Sequence, residues 1–289
     1  MKLSKDTKIL IIGLGVIGGG YATALSEKGY AVKCITKNKE DIEYATARGM
    51  IEYGTTEVDP ELIAEAELII FALYPTVFIE WVEKYGSLIR PGTLITDVSG
   101  VKSSVVGKIQ GLLPEGVEFI SAHPMAGRER SGVEYSNPSV FKGANYIVTP
   151  TEKNTCEAID TCKELGRELG FARISDLTVE AHDEMIAFLS QLTHCIAVSL
   201  MNCNDTPELE KYTGDSFRDL TRIAKINDRM WAELFLMNKD ALLNQMDSFI
   251  DELQDFRDMI ENGESDKMRE KMRASTARRA LFDKPKTGG

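Results

Sequence analysis

The run Lys8-Ile9-Leu10-Ile11-Ile12 leads directly into Gly13-Leu14-Gly15-Val16-Ile17-Gly18, and Tyr21-Ala22-Thr23-Ala24-Leu25 then opens a helical stretch. A GxGxxG motif alone is a weak signal. Set between an apolar strand and a helix start, it constrains the chain to a dinucleotide-binding βαβ unit. Gly13 permits the tight turn, Gly15 lets the backbone approach a pyrophosphate, and Gly18 lets helix and strand pack closely. Leu14, Val16 and Ile17 belong to the same cofactor loop, and the free amides of the helix N-terminus face the phosphates.

An NAD-preferring site places Asp or Glu about 20 residues further on, at the end of the second strand. Here that place reads Ile35-Thr36-Lys37-Asn38. Thr36 and Asn38 can hydrogen-bond a ribose, and Lys37 can neutralise a phosphate. The missing acid and the added cation predict NADP, with NAD possible.

Further apolar runs follow the first: Ala31–Ile35, Leu68–Leu73, Thr93–Asp97, Val117–Ala122, Asn145–Val148 and Ala172–Ile174. Continuous apolar strands separated by helical stretches are the pattern of a parallel sheet covered on both faces. After Asp176 the strand signals vanish and helical periodicity takes over. One helix is predicted from near Val179 to Asn202, and a long one from near Asn227 to Gly263. Ser265 caps a last helix through Arg279 in this reading, and the terminal "DKPKTGG" is expected to be loose. The fold class predicted is thus an α/β Rossmann-type domain over 1–176 followed by an all-α helical domain over 177–289.

The chain has 289 residues, 43% hydrophobic and 27% charged, which suits a globular protein with a substantial core. No apolar run is expected to reach the roughly 20 residues that span a bilayer. The N-terminus lacks the small-residue cleavage site of a signal peptide, so a cytoplasmic protein is expected. The net charge of -11 argues against nucleic acid or an anionic membrane as partner. The five cysteines show no CxxC or Cys/His ligand spacing, so free thiols and no metal are expected.

In a parallel α/β sheet, ligands bind beyond the carboxyl ends of the strands. Leu73 and Tyr74 end one strand there, Ser99-Gly100-Val101-Lys102 follows another, and His123-Pro124 ends a third. His123 is one of only three histidines. At a strand end over the nicotinamide side of the cleft, it suits acid–base work during hydride transfer. His182 on the helix beginning near Val179 reads as a structural residue. Asp183, Ser190 and His194 fall within about 40° of one another on an ideal helix, a polar stripe that needs either a structural network or a ligand. Arg218 and Arg222, four apart, suit carboxylate recognition or surface pairing with Asp215 and Asp219.

Together GLGVIGG, DVSGVK, SAHPMAG, an HD pair followed by LSQLTH, and FRDLTRIA…MW resemble the prephenate/arogenate dehydrogenases of tyrosine biosynthesis. The resemblance covers the chain up to its last helix. It implies a Rossmann-type domain with a helical dimerisation domain, and a homodimer. It also implies an NAD(P)-dependent oxidative decarboxylation that converts prephenate to 4-hydroxyphenylpyruvate or arogenate to tyrosine. By the same resemblance, His123 is the catalytic histidine that polarises the ring hydroxyl. His194 and Ser190 line the substrate pocket, Arg222 binds a substrate carboxylate, and Trp231 stands near the pocket. Many members read Gly-Ser where this chain has Ser99-Gly100, so Ser99 is a candidate to serve beside the histidine from a shifted backbone. Asp215 stands where glycine is expected and could favour the ammonium of arogenate. No ACT-type regulatory domain or fused chorismate mutase is expected. A β-hydroxyacid-type dehydrogenase would need a catalytic lysine that the helix from Val179 lacks. A non-catalytic NADP-sensing protein is a further alternative.

Overall fold

The computed structural model describes residues 2–127, 130 and 132–283; residues 284–289 of the tail expected to be loose lie outside the described residues. The chain forms two compact units, Met1–Lys239 and Asp240–Gly289. In the first, six parallel strands pair in the order β3-β2-β1-β4-β5-β6. They are β1 (Ile9–Ile12), β2 (Val32–Ile35), β3 (Tyr53–Thr55), β4 (Leu68–Phe71), β5 (Leu94–Asp97) and β6 (Glu118–Phe119). β1, β4 and β5 are buried along their whole length, which is why they read as unbroken apolar runs. The crossover helices are α1 (Val16–Ser26), α2 (Lys39–Ala47), α3 (Pro60–Glu65), α4 (Pro75–Tyr85) and α5 (Val106–Leu112). The order reverses at β1, where a Rossmann sheet opens its ligand crevice.

The expectation of one parallel sheet needs correction beyond β6. The run Val117–Ala122 is divided between β6 and β7 (Ser121–Pro124), and β7 belongs to a second sheet with β8 (Asn145–Thr149) and β9 (Arg173–Asp176). β7 pairs antiparallel with β8, and β8 parallel with β9 across α6 (Cys156–Glu168). Buried antiparallel and parallel strands present the same apolar pattern, so the run alone could not reveal the change of partner. The division keeps β7 beside β5, because the Ala122 N–H donates to Asp97 Oδ1 at 3.0 Å.

The helical stretch from Val179 is α7 (Val179–Ile186), a π-helical turn over Ala187–Leu192, and α8 (Thr193–Asn202). The whole span is 24 residues long and apolar enough to cross a membrane by length and composition, contrary to expectation. It nevertheless buries His182, Asp183 and Gln191, each bonded to other elements of the unit, as a packing helix does. Then come α9 (Asp215–Thr221) and α10 (Asp228–Met237), whose start is capped by the Asn227 side chain. The long helix expected from Asn227 is broken at Asn238. There the side-chain amide donates to the Asp183 carbonyl and to Gln191 Oε1, and the backbone leaves helical geometry. These bonds tie the end of α10 to α7 and to the π turn.

The second unit holds α11 (Lys239–Glu261) from Asp240 onward, and α12 (Ser265–Ala280). Gly263 stops α11 at φ +65, and the Glu264 N–H returns to the Met259 carbonyl. Ser265 is the first helical residue of α12; the cap position falls to Glu264. Lys271 of α12 bonds to Glu252 and Asp255 of α11.

Candidate active site

The carboxyl ends of β1, β4 and β5 are level, with Ile12 opposite Phe71 and Phe71 opposite Asp97. The glycine loop, Leu73-Tyr74 and the 98–103 turn therefore share one edge of the sheet. A Cβ at Gly13, where φ is +96, would stand 2.5 Å from the Ala72 carbonyl, and one at Gly18 would stand 2.2 Å from the Gly13 carbonyl. At Gly15 a Cβ would meet nothing within 4 Å. The turn is thus closed against β4 and open at Gly15, and α1 begins with no side-chain cap and no acid in its first turn. That is the shape and polarity a pyrophosphate needs. The Leu14 side chain is in the core, so only its backbone can serve a cofactor. Val16 and Ile17 are partly exposed. Gly19 and Gly20, adjacent to the motif, let Ser136, Val133 and the Phe141 ring lie against α1, a role sequence reading missed.

At the end of β2, Thr36 is buried while Lys37 and Asn38 are exposed. Asn38 donates to Asp41 at 2.9 Å. Tyr74 precedes α4, and its hydroxyl accepts from Asn227 Nδ2. A second tie runs from the Thr76 N–H to Glu233 of α10 at 2.6 Å.

Beneath His123 lies a fully buried ion pair. Lys102 Nζ is 3.2 Å from both oxygens of Asp97 and donates to the Ala122 carbonyl at 2.7 Å. Asp97 also accepts from Ser121 Oγ at 2.6 Å and from the Ser99 N–H. Burial pushes the Lys102 ammonium below its ordinary value, against the pull of Asp97. The pair ties the 98–103 turn to β7, the strand that carries His123.

His123 is partly accessible and touches α7 directly: its Nδ1 is 2.9 Å from His182 Nε2. His182 is fully buried, and its Nδ1 is 2.8 Å from Asp183 Oδ1. Asp183 in turn accepts from the backbone N–H groups of Lys102 and Ser103, at 2.9 and 2.7 Å. Crowding by the protein, His182 and the Lys102 charge all hold His123 well below the usual histidine range. It is therefore neutral near pH 7 and able to accept a proton. His182, read from the sequence as structural, belongs to this group. The signal available was its place next to an acid on a buried helix.

Residues 21–175 match the family model described as "Prephenate dehydrogenase, nucleotide-binding domain", and residues 178–274 match "Prephenate dehydrogenase, dimerization domain". The chain belongs to the prephenate dehydrogenase family. It is 31% identical to the prephenate dehydrogenase of Bacillus subtilis over 93% of this chain and 74% of that one. To the cyclohexadienyl dehydrogenase of Zymomonas mobilis it is 29% identical over 94% and 95%. The Aquifex aeolicus prephenate dehydrogenase, solved with hydroxyphenyl propionate and NAD+, superposes with a TM-score of 0.89 at 28% identity, covering 98% of this chain and all of that one.

The other residues to which the prephenate dehydrogenase resemblance points are distributed unevenly. His194 and Trp231 come together, their rings stacked with centroids 3.7 Å apart. His194 Nδ1 donates to the Ser190 carbonyl at 2.8 Å, so Ser190 takes part through its backbone. The π turn adds a residue per turn and shifts the helix phase. Asp183 therefore meets the 102–103 turn while His194 meets Trp231, and the expected Asp183–Ser190–His194 stripe is two separate contacts. Arg222 is exposed and opens a short 3₁₀ turn, Arg222–Ala224, that packs against α8, the helix of His194. Asp215 pairs with Arg218 at 2.9 Å on the surface, which is the surface-pairing alternative. The Ser99 hydroxyl is enclosed and has no hydrogen-bond partner among the described residues. It is position 100 that faces the histidine: a Cβ on Gly100 would stand 3.8 Å from His123 Nε2.

Proposed function

We propose that the protein carries out the oxidative decarboxylation of prephenate or arogenate in tyrosine biosynthesis, as a cytoplasmic homodimer that prefers NADP. The observation that carries the reading is His123: neutral, partly accessible, at the strand-end edge of a Rossmann sheet.

A bound nicotinamide cofactor would supply the hydride acceptor. The open space at Gly15 and the uncapped start of α1 fit its pyrophosphate. Lys37, exposed directly beyond β2 where an NAD site would place an acid, fits a 2′-phosphate better than a bare ribose, and Asn38 would have to leave Asp41 to join it. His123 accepts the proton of the ring hydroxyl as the carbinol carbon loses its hydride. Carbon dioxide leaves from the opposite ring carbon, its bonding electrons move through the ring onto the oxygen as the ring becomes aromatic, and the resulting phenolate takes its proton back from His123. Arg222 pairs a substrate carboxylate through its planar guanidinium. His194, held by the Ser190 carbonyl and stacked on Trp231, lines the pocket. Ser99 acts through its backbone, which donates to Asp97. Asp215, if it bears on arogenate, must first release Arg218.

The functional boundary falls after Asp176, with the helical part serving the substrate and the dimer. Leu243, Ile250, Leu253 and Ile260 of α11 are all exposed and recur at heptad-like spacing, the seam a partner helix would cover.

The test is His123→Asn. Turnover should fall by about 10²–10⁴-fold with cofactor affinity kept, the contribution of a positioned general base. Turnover within about threefold of wild type would remove His123 from the chemistry.

A further inference from the structure

We propose that His182 and Asp183 are the positioning residues of this reaction: they fix His123 in its Nδ1–H form, so that the lone pair on Nε2 is offered to the substrate hydroxyl. The proposal rests on the reading of His123 as the base.

The argument is one of proton counting. Asp183 accepts three bonds, from the Lys102 and Ser103 amides and from His182 Nδ1. Burial works against its charge, yet the bonds from His182 and Ser103 hold its carboxyl below the ordinary range. It is an ionised carboxylate and can only accept. His182 is completely enclosed, and burial lowers it below the usual histidine value against the pull of Asp183. It is neutral and has one N–H. That proton must lie on Nδ1, facing the carboxylate 2.8 Å away. His182 Nε2 is then a lone pair and must accept, and the atom 2.9 Å from it is His123 Nδ1. So His123 carries its proton on Nδ1 and its lone pair on Nε2, the nitrogen facing position 100.

Without this chain, the imidazole could turn its N–H toward the substrate and could not take a proton. The charges that face the two rings are Lys102 and Asp97 below, and Asp183 on α7. Lys102 opposes protonation in the resting site. Once His123 has accepted the hydroxyl proton on Nε2, its Nδ1–H stays bonded to His182, which is anchored to Asp183. The new cation is thus stabilised by a line of hydrogen bonds ending in a carboxylate. No proton need pass along that line to His182 or Asp183, and the one on Nε2 is free to return to the product oxygen.

Local structure explains how adjacent residues do both jobs. Thr178 caps α7 through the Ala181 N–H, which sets the first turn. Neighbouring helical positions then diverge by about 100°, so His182 reaches β7 while Asp183 reaches the 102–103 turn.

The experiment is ¹⁵N-histidine NMR of the full-length protein, tractable because the chain has only three histidines, alongside steady-state pH profiles. Wild type should show His123 as Nδ1–H at neutral pH. His182→Gln keeps an acceptor and should keep that form and most of kcat. His182→Leu removes the acceptor. It should shift His123 toward Nε2–H, move the acid limb of the kcat profile, and lower kcat by about ten- to a hundredfold with KM little changed. An Nε2–H His123 in wild type overturns the proposal even if His182→Leu fails to fold. So does a folded His182→Leu with the wild-type tautomer and kcat. If His123→Asn retains full turnover, it is the catalytic reading that fails, whatever the tautomer.

Discussion

Lys102→Met tests how the site is held up. Lys102 and Asp97 are each fully enclosed, and the ammonium makes three contacts: two to the carboxylate at 3.2 Å and one to the Ala122 carbonyl at 2.7 Å. Methionine matches much of the aliphatic volume, so the change isolates the charge. It leaves a buried carboxylate with only Ser121 Oγ and two backbone N–H groups. Breaking a buried pair by removing one partner costs about 3–5 kcal/mol. With a urea m-value of about 1–3 kcal/mol per M, the unfolding midpoint should fall by at least about 1 M. The double variant Asp97→Asn/Lys102→Met removes the orphaned charge and should recover a large part of that loss. Equilibrium urea unfolding of the four proteins in the cycle gives the coupling. A midpoint drop below about 0.3 M for Lys102→Met, or a double variant as unstable as the sum of the singles, would refute the reasoning.

Further outcomes follow from the same geometry. Gly15→Ala meets open space, so thermal stability should hold while titrations show cofactor affinity lost; Gly18→Ala drives a methyl into the Gly13 carbonyl and should lower the melting temperature itself. Arg222→Ala should raise KM by about ten- to a hundredfold with a smaller change in kcat, since hydrogen bonds to charged groups are worth about 1.5–3 kcal/mol. Ser99→Ala deletes a hydroxyl with no partner among the described residues, so steady-state kinetics and stability should match wild type. His123 and His182 are both depressed in the folded protein, so the unfolded chain binds more protons below the ordinary histidine value. Stability is then fully present above about pH 6.5 and falls as the pH drops below it, by up to about 1.4 kcal/mol per pH unit for each group. Urea midpoints measured between pH 7.5 and 5 check the sign.

The Rossmann half was legible because its signal is local: a strand, three glycines and a helix start, contiguous in sequence. The second sheet was not, since nothing in Asn145–Val148 says that its partner β7 runs the other way. The helix from Val179 was visible as a helix, but its π turn depends on tertiary bonds to α10, and so does the break at Asn238. His123 could be placed by the strand end before it. His182 could not, because its role depends on a contact 59 residues away in the chain. The Ser99-Gly100 inversion was legible as a departure, and the fold shows which of the two positions faces His123.

The central claim is the reaction itself. The most direct measurement is nicotinamide reduction by the purified protein, with prephenate and arogenate crossed against NAD and NADP, and carbon dioxide release followed in parallel. The account predicts turnover with matched carbon dioxide, fastest in an NADP cell. Tight NADP binding with no reduction in any of the four would contradict it.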